Sequence, residues 1–190
     1  ESLVLLPRRV PARRAAHQLA RHLDEPVGQT VGVSLRDETR RSASTRLTVT
    51  TYGAFLRRLT RDPELTGVST VILDEFHERQ LDQDTCLTLL HSCRALFRPD
   101  LKLLVMSATL AMDTLHQRLA LPKVESDGQR HPLTLHYRPV RTKDWLAELM
   151  GVIDEARREC DDHILVFLPG LRDIESVNQR LPTDCLSFIV

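Results

Sequence analysis

The 190 residues include only seven glycines, three lysines and 4% aromatics. Each scarcity removes a class of function. No apolar run approaches the ~18–20 residues that a bilayer-spanning helix needs, so no membrane partner is expected. Glu1-Ser2 leads no cationic segment into an apolar core, so no signal peptide is expected either. The four cysteines (Cys86, Cys93, Cys160, Cys185) form no C-x-x-C pair, which leaves a zinc knuckle without support. Cys86 and Cys93 fall on the apolar side of a helical stretch with Leu89, Leu90 and Phe97, the pattern of buried thiols in a reducing compartment. Few aromatics argue against strong readout of nucleic-acid bases. None of Lys102, Lys123 and Lys143 follows a glycine, so the chain holds no G-x-x-x-x-G-K-[ST] loop for gripping phosphates.

What is present is a chain able to build a core, at 42% hydrophobic and 27% charged residues. Its 26 basic and 26 acidic residues cancel to zero, which by itself argues against a polybasic nucleic-acid binder. The zero is a sum over unlike segments. Residues 1–66 carry twelve arginines, no lysine and seven acids, a net +5, and residues 67–190 carry a net −5. Arginine's planar fork matches phosphate better than an ammonium does, although a GC-rich genome accounts for arginine usage equally well.

Short apolar runs alternate with amphipathic stretches. Leu3 to Leu6, Leu47 to Thr50, Val71 to Leu73 and Leu101 to Met106 read as strands. Pro11 suits the first residue of a helix whose apolar side carries Ala12, Ala15, Ala16, Leu19, Ala20 and Leu23. A second helix follows Gly53, and a third runs from about Asp84 to Phe97. Later come strand-like Leu133 to Tyr137, a helix around Trp145 to Ile153, and a strand from Ile164 to Leu168. Continuous apolar strands between helices point to an α/β fold with a parallel sheet covered on both faces. Ligands of such sheets bind beyond the carboxyl ends of the strands.

The polar clusters fall at those ends. Val71-Ile72-Leu73 delivers Asp74-Glu75 and then Phe76-His77-Glu78-Arg79. Paired carboxylates there suit nucleotide hydrolysis, with one holding Mg²⁺ through water and the other positioning the attacking water. The alternative is an ordinary strand exit with solvated acids. His77-Glu78-Arg79-Gln80-Leu81 does not complete H-E-x-x-H, which excludes a zinc protease of that type. Ser107-Ala108-Thr109 ends the next strand. Pro7-Arg8-Arg9 ends the first strand ahead of a helix N-terminus, an arrangement that attracts phosphate. Thr50-Thr51-Tyr52-Gly53 ends another strand just before a helix.

In that order these segments resemble the DExH/DEAH helicases of superfamily 2, most closely the bacterial HrpB-type ATP-dependent helicases. Asp74-Glu75-Phe76-His77 is similar to the DExH box and Ser107-Ala108-Thr109 to the SAT motif. Pro7-Arg8-Arg9 and Thr51-Tyr52-Gly53 resemble two segments that touch nucleic-acid backbone, the second with Tyr52 in place of an acid. Gly128-Gln129-Arg130-His131-Pro132 resembles the segment joining two domains. The resemblance implies a RecA-like P-loop NTPase sheet over residues 1–138, without its N-terminal strand and phosphate-binding loop. It implies the start of a second RecA-like domain over 139–190.

By the same resemblance the cofactors are ATP and Mg²⁺, with Asp74 on the metal and Glu75 orienting water. His77, Ser107 and Thr109 would relay closure between domains. RNA or DNA backbone would meet Arg8, Arg9, Thr51, Gly53 and Arg57, and a solvated surface charge is the alternative at each arginine. The expectation is a piece of a bacterial cytoplasmic helicase that works with the remainder of its chain and is inactive alone. A non-catalytic nucleic-acid-binding module on the same scaffold is the second reading. An unrelated α/β enzyme with an acidic metal site is the third.

Overall fold

Leu3, Val4, Leu5 and Leu6 offer no polar face, so a strand made of them needs a neighbour on each side and a layer above and below. The computed structural model, which describes residues 1–108, 122–126, 132–140, 143–159, 162–183 and 185–187, gives the segment both. Its strands are β1 (Ser2–Leu6), β2 (Val31–Ser34), β3 (Thr39–Arg40), β4 (Leu47–Thr51), β5 (Thr70–Leu73) and β6 (Lys102–Val105). They form one sheet in the order β3-β2-β4-β1-β5-β6. All neighbours run parallel except the two-residue β3, which is antiparallel to β2.

Alternate residues of β1 feed two cores. Leu3 and Leu5 pack with Tyr52, Phe55, Phe76, Cys86 and Leu90 from the side covered by α2 (Tyr52–Arg61) and α3 (Leu81–Leu96). Leu6 and Val4 pack on the other face with Ala12, Ala16 and Ala20 of α1 (Arg9–His22) and with Val33 and Val49. Removing a Leu side chain from such a site costs about 2–5 kcal/mol. The small alanines let α1 lie close to the sheet. Two buried threonines within β4 are satisfied, Thr48 by the Glu1 carboxylate at 2.6 Å and Thr50 by the Ser34 carbonyl at 2.6 Å.

The helix starts follow local chemistry. α1 begins at Arg9, two residues before Pro11, because a first-turn N–H has no intrahelical acceptor and its loss there is harmless. Thr51 caps α2 by accepting the Ala54 N–H at 3.4 Å. α3 starts at Leu81, earlier than its apolar pattern suggests, because Gln80 and Gln83 form a reciprocal capping box. At the opposite edge of the sheet, Arg98 donates to the carbonyls of Glu64, Leu65 and Val68 at 2.9, 2.9 and 2.7 Å and ties the loop before β5 to the end of α3.

Glu1–Ser126 forms one compact unit and Asp127–Val190 a second. The second contains α4 (Trp145–Glu159) and α5 (Leu171–Asn178), which bury Ile153 and Val177. Arg138 is paired with Glu155 of α4. Leu133 to Tyr137 and Ile164 to Leu168, read as strands from their apolar runs, form no ladder among the described residues. Such a run becomes a strand only beside a partner, and here Tyr137 is 91% and Phe167 86% exposed. Thr109 and Gly128 to His131 lie outside the described residues. No helix among the described residues is long and apolar enough to cross a membrane.

Candidate nucleotide-hydrolysis site

Parallel register brings the chemistry to one edge. Leu6 is level with Thr51, Leu5 with Leu73, and Leu73 with Val105. The segments that follow these strand ends, Pro7 to Arg9, Thr51 to Gly53, Asp74-Glu75 and Ser107, therefore leave the same carboxyl edge of the sheet. Ser107 is partly buried there and Thr109 falls outside the described residues.

The acidic turn is fixed from several sides. Asp74 N–H donates to the Leu5 carbonyl at 3.0 Å, and Phe76 N–H donates to that of Met106 at 3.1 Å. Glu75 adopts a left-handed backbone at φ 53, ψ 34, which costs an L-residue with a Cβ about 1–2 kcal/mol. Two buried side chains hold it there. The Tyr52 hydroxyl donates to the Asp74 carbonyl at 2.7 Å, and Gln83 Nε2 donates to the Glu75 carbonyl at 2.9 Å. Gln83 Oε1 in turn accepts the Gln80 N–H at 2.7 Å, so both ends of this buried amide are used. Burial, helped by the nearby Cys86, Asp74 and Glu75, pushes the Tyr52 phenol above its ordinary ionisation range and keeps it a donor.

Asp74 accepts the Glu75 N–H on Oδ1 at 2.8 Å. That is its one side-chain hydrogen bond among the described residues, and it leaves acceptor capacity on the carboxylate. No cluster of three or more candidate metal ligands occurs among the described residues. A single strand-end carboxylate fits Mg²⁺, which keeps most of its waters and uses one or two carboxylates alongside phosphates. The Glu75 side chain is 44% exposed, and its Oε2 lies 3.5 Å from His77 Nδ1. That separation is too long for a hydrogen bond, and it is attractive only when the imidazole is protonated. His77 Nδ1 is buried and has no hydrogen-bond partner among the described residues.

The basic residues divide by partner. Arg8 is exposed, with its guanidinium 3.5 Å from Glu78 Oε2, while Gln80 Nε2 reaches the same carboxylate at 2.7 Å. Arg9 is held by Asp37 at 2.8 Å, and Arg13 and Arg40 both hold Glu38. The Arg9 hydrogen bond is the main reason that the Asp37 carboxyl sits below its usual range. Arg57 is exposed, one helical turn after Gly53 on α2. At Gly53 an added Cβ would stand 3.2 Å from Asp82 Oδ2, so glycine lets the start of α2 lie against the start of α3.

The structure thus gathers Asp74, Glu75 and His77 in one turn and places Arg8, Thr51 and Gly53 at the same sheet edge. It directs Arg9 toward Asp37 and leaves Arg57 exposed on α2, one turn after Gly53. Sequence reasoning missed the supporting roles of Tyr52 and Gln83. Only Gln83 had a local signal, a polar residue at the third position of a helix.

A family model described as DEAD/DEAH box helicase matches residues 1–117. The chain is 42% identical over 181 residues to the ATP-dependent RNA helicase HrpB of Escherichia coli, covering 94% of this chain and 22% of that protein. It is 33% identical over 179 residues to an ATP-dependent RNA helicase HrpA homolog of Haemophilus influenzae, covering 92% of this chain and 14% of that protein. The chain therefore spans about a fifth or less of the length of these relatives. A crystal structure of the E. coli DEAH/RHA helicase HrpB superposes with TM-score 0.90 at 41% identity, over 98% of this chain and 24% of the other. A second, of the E. coli DExH-box NTPase HrpB, superposes with TM-score 0.84 at the same identity and coverage.

Proposed function

The chain belongs to the DEAD/DEAH box helicase family, whose RecA-like α/β fold it shares, and we propose that it forms part of a bacterial cytoplasmic helicase that couples ATP hydrolysis to unwinding or remodelling of RNA. The observation that carries this reading is the Asp74-Glu75 turn, fixed at the carboxyl edge of a parallel sheet beside Arg8 and Thr51. RNA is favoured over DNA because the curated relatives are named RNA helicases.

In this reading Asp74 would hold Mg²⁺, which would supply charge neutralisation to the triphosphate. Glu75, partly exposed on a backbone that cannot rotate freely, orients the attacking water and accepts its proton. His77, whose Nδ1 has no hydrogen-bond partner among the described residues, relays closure together with Ser107 and Thr109. Backbone phosphates meet Arg8, Arg9, Thr51, Gly53 and Arg57. Residues 1–138 belong to the first RecA-like domain and residues 139–190 to the second.

The lysine loop that grips the phosphates is supplied by other residues of the helicase, because no G-x-x-x-x-G-K-[ST] occurs in these 190. On their own the 190 residues do not turn over ATP. The test is RNA-stimulated ATPase measured on the complete helicase and on the 190 residues. Turnover is expected only in the first, and only with Glu75 intact. ATP hydrolysis by the 190 residues that disappears in Glu75→Gln would refute the division of labour. RNA binding by the complete protein without any hydrolysis would favour a binding module instead.

A further inference from the structure

Tyr52 occupies an unusual position between two functions. In sequence it sits between Thr51 and Gly53, the segment read above as a contact for nucleic-acid backbone. In space its ring is buried in the core with Leu5, Phe55, Phe76 and Cys86, and its hydroxyl donates to the Asp74 carbonyl at 2.7 Å. β4, which leads into Tyr52, and β5, which leads into Asp74, are not neighbours, because β1 lies between them. No ladder hydrogen bond can therefore join them, and the Tyr52 side chain makes the connection directly.

The bond has leverage because of where it lands. The Asp74 carbonyl and the Glu75 N–H belong to the same peptide plane. Tyr52 holds one end of that plane, and Asp74 Oδ1 holds the other at 2.8 Å. The next plane is held by Gln83 on the Glu75 carbonyl and by the Met106 carbonyl on the Phe76 N–H. Both backbone torsions of Glu75, which set where its side chain leaves the chain, are thus fixed by these four contacts. Gln83 and Met106 come from segments that carry none of the residues assigned to nucleic acid. Tyr52 alone comes from one that does.

We infer that Tyr52 is a positioning residue that transmits engagement of nucleic-acid backbone at Thr51–Gly53 to the Asp74–Glu75 peptide, so that Glu75 is brought into register when the strand is bound. The inference rests on the helicase reading and adds a route for its stimulation. A shift of Thr51 or Gly53 toward a phosphate moves the start of α2 and with it the hydroxyl. The carbonyl follows, and the left-handed turn turns with it.

The test uses the complete helicase and its Tyr52→Phe variant, which keeps the ring and removes only the donor. ATPase is measured without nucleic acid and with saturating poly(U) RNA or poly(dT) DNA, and affinity for each polymer is measured separately. In Tyr52→Phe the ratio of stimulated to basal rate is expected to fall about fivefold, the rate equivalent of one neutral hydrogen bond. KM for ATP and polymer affinity stay within about twofold of wild type. A purely structural hydroxyl would lower both rates alike and leave the ratio intact, and that result overturns the inference. Gln83→Met is the control in which both rates fall together.

Should Tyr52→Phe fail to fold, hydrogen exchange on the wild-type helicase supplies the readout. Amides of residues 74–79 are expected to change protection when poly(U) is bound, and unchanged protection overturns the link. A wild-type protein stimulated by neither polymer removes the helicase reading and this inference with it. A stimulated wild type with an undiminished Tyr52→Phe ratio removes only the role of Tyr52.

Discussion

Arg8 and Glu78 meet at the carboxyl edge of the sheet, with Nη2 of the first 3.5 Å from Oε2 of the second. The pair joins the arginine-rich segment after β1 to the end of the acidic turn that follows β5. Arg8 is 70% exposed, and exposed pairs of this kind contribute about 0–1 kcal/mol. A phosphate can therefore take the guanidinium from Glu78 at little cost. In Arg8→Ala, affinity for RNA is expected to drop by a similar factor for every sequence tried. The slope of log affinity against log salt becomes shallower by about 1, the signature of one lost phosphate contact. Anisotropy titrations at several salt concentrations decide it, and an unchanged slope would place Arg8 outside the interface.

Arg9 predicts the opposite sign. Its guanidinium is bound by Asp37 at 2.8 Å, so the acid competes with any phosphate for it. Asp37→Asn should tighten RNA binding at low ionic strength by about two- to threefold, with the gain fading as salt screens the site. Weaker binding in that variant would show that the Arg9–Asp37 pair itself shapes the surface.

For Glu75 the prediction separates chemistry from folding. Glu75→Gln keeps the shape and the backbone contacts, since its supports bind the peptide and not the carboxylate. Hydrolysis in the complete helicase should fall about 10²–10⁴-fold, the range for a lost general base. The melting temperature stays unchanged. Single-turnover ATPase and thermal unfolding on the same preparation test both halves.

Gln83 is a matter of stability. Gln83→Leu removes a buried amide and leaves the Glu75 carbonyl and the Gln80 N–H without partners. Each orphaned group costs about 1–3 kcal/mol, so a total loss of about 2–6 kcal/mol is expected in denaturant unfolding. Gln80→Ala removes a cap that is more accessible to water, and its loss should be about 1 kcal/mol.

Buried weak acids, Cys86, Cys93 and Tyr52, set the alkaline limit of the fold. Burial pushes the Cys86 thiol up to about 12 and raises the Cys93 thiol and the Tyr52 phenol as well. All three folded-state values lie above those of the unfolded chain, so the native state holds more protons once the unfolded thiols begin to ionise. Stability is then fully present below about pH 8.5, the ordinary thiol value, and declines as pH rises above it. Urea midpoints at pH 7 and between pH 9 and 10 should show the decline, and Cys86→Ala should make it shallower. A flat profile in the parent chain would contradict the burial of these groups.

Much of the first unit was legible from its residues. Val71-Ile72-Leu73 has no polar face and is followed at once by two acids, so a buried strand delivering carboxylates was the direct reading, and β5 runs from Thr70 to Leu73. The end of β1 at Leu6 was equally marked by the change from apolar to polar residues, whereas β4 and β6 end at Thr51 and Val105, one residue from the expected Thr50 and Met106. Strand order was not legible, because periodicity says which face of a strand is buried and nothing about its neighbours. Tyr52 looked like a departure from the family pattern for that reason. Its purpose appears only once β1 is known to separate β4 from β5. β2 was missed because Gly32 interrupts its short apolar run, and β3 because two exposed residues show no pattern. Ile164 to Leu168 has an apolar run that suggests a strand, and no partner completes the ladder among the described residues.

The left-handed backbone of Glu75 bears on how such a chain could change over time. Glycine would occupy φ 53 without its steric penalty, and it would leave the hydrogen bonds to both flanking peptides in place. A substitution to glycine is thus nearly free for the fold and, with the role proposed for Glu75, ruinous for water activation. Screening variants of this domain by thermal tolerance alone would drift toward an inert protein with an intact architecture. Only a selection that reads nucleotide turnover keeps glutamate where the backbone least favours it.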